Sequence, residues 1–367
     1  MIMKKKIVGC MLGMSMIATL MTGCMHGETK EKSVELNETV SEQTVESEGE
    51  SETINEQDVL EELEAETENT VETDVAVMIE NVEEKKYEDF LNDEELLFFD
   101  KYNQYEFLED ETYFEEGKGY NLSEIIDVLA EHYFEYSDNK EMESISYAYI
   151  DCGMDGVKEL ALCFNGMDIY SQDDDSTLVY IIKSIDNQLQ LCYCYETWAR
   201  CGASINEYGY YVSVGSGGAS NHSTDSGLID KNGEWQYIAG IEQEADIFLI
   251  SYPEELSKIQ TVAQEKTYDG TIVFYTVSLA DYTEAGRYVG TSTEDEFYSF
   301  EVYDEKFEKI TEPDMYTDSV YKEIFDEAGV AVLSDVEIAA KVAEKEKQVG
   351  LTEEIRNGQE ITWSILK

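Results

Sequence analysis

The chain has 367 residues, of which 82 are Asp or Glu and 25 are Lys or Arg, giving a formal net charge of -57. That balance excludes nucleic acid as a partner, because phosphate binding needs a basic face. An acidic surface attracts cations or basic protein patches, and it also serves solubility alone.

The first element is a leader over residues 1–23. Lys4, Lys5 and Lys6 precede an apolar run from Ile7 to Met21, and Thr22-Gly23-Cys24 follows. A basic start, a short apolar core and a small-residue exit describe a secretory signal peptide. The run is shorter than the roughly 20 apolar residues that span a bilayer. The stretch Leu20-Met21-Thr22-Gly23-Cys24 resembles the lipobox of bacterial lipoproteins, with Met21 where the usual pattern places Leu. The resemblance implies acylation of Cys24, which makes the membrane a partner through lipid. It places the protein on the extracellular face of the cell membrane. Each buried CH₂ contributes about 0.8 kcal/mol, and two or more acyl chains anchor stably where one does not.

Residues 24–84 are rich in Glu, Ser, Thr, Val and Asn, with almost no aromatic side chains. Low hydrophobicity with high charge cannot offset chain entropy, so a disordered acidic linker is expected. Residues 85–367 are expected to form one folded extracellular domain. Order begins near Tyr87, where Leu91, Leu96, Leu97, Phe98 and Phe99 are too apolar to stay solvated. Asn121–Tyr136 reads as a helix with Ser123 as its cap and Ile125, Ile126, Leu129 and Ala130 along one face.

From Ser144 the apolar period switches to two. Strands are expected at Ile145–Ile150, Val157–Phe164, Leu178–Ser184, Gln188–Tyr195, Gly209–Val214, Gly227–Asp230, Glu234–Ala239, Asp246–Ser251, Thr271–Leu279 and Glu296–Tyr303. Short turns such as Asp186-Asn187 and Asn232-Gly233 join them, which makes an antiparallel meander. Ser319–Ala328 is a helix candidate. Ser334 with Glu337 forms a capping-box pattern that opens another through about Val349, and Ile361–Leu366 looks like a closing strand. The expected class is α+β: an antiparallel meander sheet flanked by N- and C-terminal helices and preceded by the acidic linker. A division near Pro253–Lys266 is the alternative.

The sharpest internal motif is Asp151-Cys152-Gly153-Met154-Asp155-Gly156, between two strands and followed by Glu159-Leu160. It resembles the Asp-x-Asp-x-Asp-Gly loops of calcium-binding proteins. Calcium takes six to eight oxygen ligands from closely spaced carboxylates and carbonyls. The resemblance implies metal ligands at Asp151, Asp155 and Glu159, with Gly156 as the turn residue. Gly153 replaces one carboxylate, and Leu162 stands where an EF-hand has its bidentate Glu. The loop is therefore either a worn calcium site or a tight turn without metal, and the turn is favoured. Asp173-Asp174-Asp175 offers further oxygens.

Other chemistry is sparser. Cys152, Cys163, Cys192, Cys194 and Cys201 are an odd set without a Cys-x-x-Cys, and buried free thiols are the default. Val214–Gly227 holds Ser216, Ser220 and His222, so His222 with Cys201 or a Ser could form a nucleophile–base pair, although a polar loop is the simpler reading. Tyr193, Tyr195, Tyr208, Tyr210, Tyr211 and Trp235 could stack on sugars or fill a core. The whole layout resembles lipid-anchored surface proteins of Gram-positive anaerobes, chiefly Clostridia, and that resemblance implies no activity. The expected role is a non-catalytic binding domain for a cell-wall, carbohydrate or protein ligand. The alternative is an extracytoplasmic hydrolase acting on cell-wall or carbohydrate polymer.

Overall fold

The computed structural model describes residues 84–99, 113–115, 117–132, 142–169, 176–250, 256–280 and 295–367. The expected leader, Cys24, all but the last residue of the linker, and Asp173–Asp175 lie outside the described residues.

The class is α+β, as expected. Among the described residues, fourteen strands form two seven-stranded sheets. The first contains β1 (Leu97–Phe98), β2 (Gly119–Tyr120), β3 (Ser144–Ile150), β4 (Glu159–Asn165), β5 (Thr177–Ile185), β6 (Gln188–Thr197) and β14 (Ser364–Ile365). The second contains β7 (Cys201–Ile205), β8 (Tyr210–Ser216), β9 (Asn221–Ile229), β10 (Trp235–Glu244), β11 (Thr271–Ser278), β12 (Glu296–Tyr303) and β13 (Lys309–Ile310). The meander is antiparallel throughout β3–β6 and β7–β13, and among the described strands only β1 lies parallel, beside β6. The chain changes sheets at a corner between β6 and β7, where Trp198 and Cys201 exchange two backbone hydrogen bonds of 2.9 Å.

Helices cover the remaining faces. They are α1 over 84–91, α2 (Leu122–His132), α3 (Ser257–Glu265), α4 (Val320–Ala328), α5 (Asp335–Gln348) and α6 (Glu353–Arg356). Phe90 of α1 and Ile125 and Leu129 of α2 pack on Leu162, Phe164 and Tyr180. On the second sheet the strand alternation feeds two cores. Ile272 and Phe274 face Ile259 of α3 and Phe325 of α4. Val273, Tyr275 and Val277 face Ile338 and Val342 of α5. Successive side chains of a strand point to opposite faces, so one strand supplies both. Burying each such side chain contributes about 1.5–3 kcal/mol.

Local signals set several boundaries. Ser334 and Glu337 form the expected capping box at α5, and Ser319 caps α4. The cap of α2 is Asn121 rather than Ser123. Glu124 N–H donates to Asn121 Oδ1 (2.9 Å), and Asn121 N–H donates to a Glu124 carboxylate oxygen (3.0 Å). Ser123 instead donates through its N–H to Asp93 Oδ1 (2.7 Å). Asp246–Ser251, expected as a strand, holds a single 3-10 turn at Ile247–Leu249. The loop expected over Val214–Gly227 is mostly strand, with a tip only at Gly217–Ser220.

Beyond α6 the chain touches both sheets. Glu207 N–H donates to Gln359 O (3.0 Å) beside the second sheet. β14 then pairs with β3, setting Ser364 opposite Tyr147.

Candidate functional site

The loop between β3 and β4 is built by its own side chains. Gly153, Met154 and Gly156 have φ of 76, 58 and 84°, in the left-handed region that favours glycine. Asp151 Oδ1 accepts from Gly156 N–H (3.0 Å), and Asp155 Oδ1 accepts from Val157 N–H (2.9 Å). Both aspartates thus satisfy backbone donors of the turn, as Asx turns do. Lys158 Nζ lies 3.9 Å from Asp151 Oδ2.

Glu159 belongs to a different environment. It is fully buried, where one oxygen accepts from Cys152 N–H (2.7 Å) and the other pairs with Lys183. Burial pushes the carboxyl up to about 7, against the lowering pull of Lys183. Burial is the largest single influence on the Lys183 ammonium and acts to lower it, yet the charge and hydrogen bond of Glu159, with the Asp155 charge, together make the net shift upward. The governing effect on Glu159 is desolvation of its carboxylate, which the hydrogen bonds from Lys183 and Cys152 offset only in part. The structure therefore does not gather the three expected ligands in one shell. Two shape the turn and the third points inward. Among the described residues, no group of three or more His, Cys, Asp and Glu side chains forms a metal-holding set.

The same loop joins the two sheets. Asp151 N–H donates to Glu207 O (2.8 Å), and Gly153 N–H donates to Tyr208 O (3.1 Å), both in the turn between β7 and β8. Two glycines of the second sheet close over cysteines of the first. A Cβ at Gly209 would lie 2.7 Å from Ile229 O and 3.0 Å from Cys152 Sγ, and a Cβ at Gly233 would lie 2.5 Å from Cys192 Sγ. Asn206 holds the β7–β8 turn by accepting from Tyr208 N–H (2.9 Å) and Tyr210 N–H (3.0 Å) while donating to Ile355 O (2.6 Å).

The rival chemistries are placed as follows. Cys201 opposes Gly215, which opposes Ser223, so Cys201 shares a face with Ser223. His222 is the neighbour of Ser223 in the strand and faces the other way. Cys201 and His222 therefore point to opposite sides of the sheet and form no nucleophile–base pair. Burial also raises the thiols of Cys152, Cys163, Cys194 and Cys201, which disfavours thiolate chemistry. All five described cysteines are free. Of the aromatics, Tyr193, Tyr195 and Tyr211 are buried between the sheets. Trp235 stacks on Tyr193 with ring centroids 4.2 Å apart. These side chains fill the inter-sheet core. Lys183 escaped the sequence reading, although a single lysine within Leu178–Ile185 marks a charge in an otherwise apolar strand.

No known protein family, curated protein or solved structure matches this chain.

Gly209→Ala should destabilise the fold well beyond Gly156→Ala. Gly156 has open space around its missing Cβ, so its cost is the left-handed backbone alone, about 1–2 kcal/mol. Urea unfolding midpoints of the two variants measure this, and equal losses would show that the close approach to Cys152 is unimportant. Calcium titration of the full chain, up to the roughly 10⁻³ M at which extracellular modules bind, is expected to leave the melting temperature unchanged. A rise that Asp151→Asn/Asp155→Asn abolishes would make the loop a metal site.

Proposed function

We propose that this is a lipid-anchored cell-surface protein whose residues 85–367 form a non-catalytic binding domain, carried away from the membrane by the acidic segment 24–84. The observation behind this reading is the succession of Lys4–Lys6, the apolar run Ile7–Met21 and Cys24. A short apolar core suits export, and a cysteine at its exit suits acylation. The acidic, aromatic-poor segment that follows would repel itself and extend. Binding is favoured over hydrolysis because Cys201 and His222 lie on opposite faces of their sheet, and Ser216, which does oppose His222, donates its hydroxyl to Gly218 O (2.8 Å). The two buried carboxylates with named partners also serve the fold. Glu159 is engaged by Lys183, and Glu301 accepts from Tyr275 (2.9 Å) and pairs with Lys309.

Expression in a Gram-positive host fed an alkyne-bearing palmitate tests the anchor. The full chain should take up label and fractionate with membranes, and Cys24→Ser should lose both. An unlabelled wild-type chain, or label that persists in Cys24→Ser, would contradict the proposal.

A further inference from the structure

The closing strand β14 forms a bare edge of the first sheet. Among the described residues β3 is its only neighbour, and Ile365 is 78% exposed. Residues 361–366, Ile-Thr-Trp-Ser-Ile-Leu, hold no charge, Gly or Pro in a chain of net charge -57. An open edge presents unpaired N–H and C=O groups, and charges or Pro commonly guard it. The edges of the second sheet are guarded. β13 carries Lys309. β7 is closed at one end, where Cys201 bonds to Trp198, and at the other, where Glu207 N–H donates to Gln359 O (3.0 Å).

The ladder with β3 decides which groups of β14 face outwards. Leu366 N–H donates to Ile145 O (2.8 Å), and Ser364 opposes Tyr147. The ladder ends where Ile145 N–H donates to Lys367 O (3.0 Å). In an antiparallel pair, alternate residues turn their N–H and C=O groups to opposite sides of the strand. Ser364 and Leu366 therefore bond inwards, and Trp363 and Ile365 offer their groups outwards.

We propose that β14 pairs antiparallel with β14 of a second copy of this chain, joining the two first sheets into one. The edge is complementary to itself. A two-fold axis through Ser364, perpendicular to the sheet, sets Trp363 of each copy opposite Ile365 of the other. Those are the residues whose backbone groups face outwards, so each pair exchanges both bonds. An aromatic side chain opposite a β-branched one is a stabilising cross-strand pair, and the exposed Ile365 leaves water. The same register sets Lys367 opposite Ile361, one residue from Glu360 of the other copy, which places opposite charges at both ends of the contact. An acidic surface repels its own copy, and this uncharged edge is where two copies can meet.

Ser364 is the position that tests the pairing. It lies on the axis in a non-hydrogen-bonded pair, where Cα atoms are about 4.5 Å apart, a separation that a disulfide bridges. Purified full chain carrying Ser364→Cys should form a covalent dimer under a mild oxidant, read on a non-reducing gel and reversed by reductant. Thr362→Cys faces Leu366 of the other copy rather than itself, so it should stay at the wild-type background. Adding Ile365→Asp to Ser364→Cys should abolish the dimer at an unchanged melting temperature, because this side chain is exposed in one copy and sits beside Trp363 in the pair. A Ser364→Cys chain that stays monomeric would overturn the proposal. So would equal cross-linking of Thr362→Cys, or a dimer that survives Ile365→Asp. The contact needs no lipid, so this result and the palmitate label stand or fall separately.

Discussion

A carboxylate with no exposed surface, Glu159, sits beneath a loop that joins both sheets. Taking a charge out of water is costly unless its partners are well placed. Here the partners also determine the architecture. Lys183 comes from β5, and the N–H of Cys152 comes from the loop itself. Holding Cys152 in place aims Asp151 and Gly153 at Glu207 and Tyr208 of the second sheet. One buried charge therefore couples the interior of the first sheet to the packing of the second. The second sheet has its own buried carboxylate, Glu301, with a fuller shell: Tyr275, Tyr303 and Lys309 all reach it. Lys309 continues to Asp335 (2.9 Å) and so ties the start of α5 to β12 and β13.

Much of this was legible in the sequence. Period-two patterning located β3 to β6 and gave β12 as Glu296–Tyr303, because strands buried on one or both faces leave an apolar signature. The Ser334–Glu337 box marked α5 for a local reason, since both reciprocal bonds lie within four residues. The division into two sheets was not legible. It depends on a corner at Trp198–Cys201 with neither proline nor a two-residue hairpin signal, and on the packing of Tyr193 against Trp235. Helix α3 was missed because Ser257–Glu265 carries only two buried apolar side chains, Ile259 and Ala263.

The hairpin loop shows how one set of residues can suit two uses. Asp151, Asp155 and Gly156 are the residues a calcium loop would need, and a tight turn needs them too, as acceptors and as a left-handed position. Spacing alone cannot separate the two uses. What the structure adds is the engagement of both Glu159 oxygens, one by Lys183 and the other by Cys152 N–H of the loop.

Native-state hydrogen exchange of the full chain, wild type against Glu159→Gln, tests the coupling most directly. The account predicts that the amides of Asp151 and Gly153 lose protection together with that of Ile229, whose N–H donates to Gly209 O (2.9 Å) in the second sheet. Loss confined to the first sheet, with Ile229 as protected as before, would show that the sheets are held together by something other than this loop.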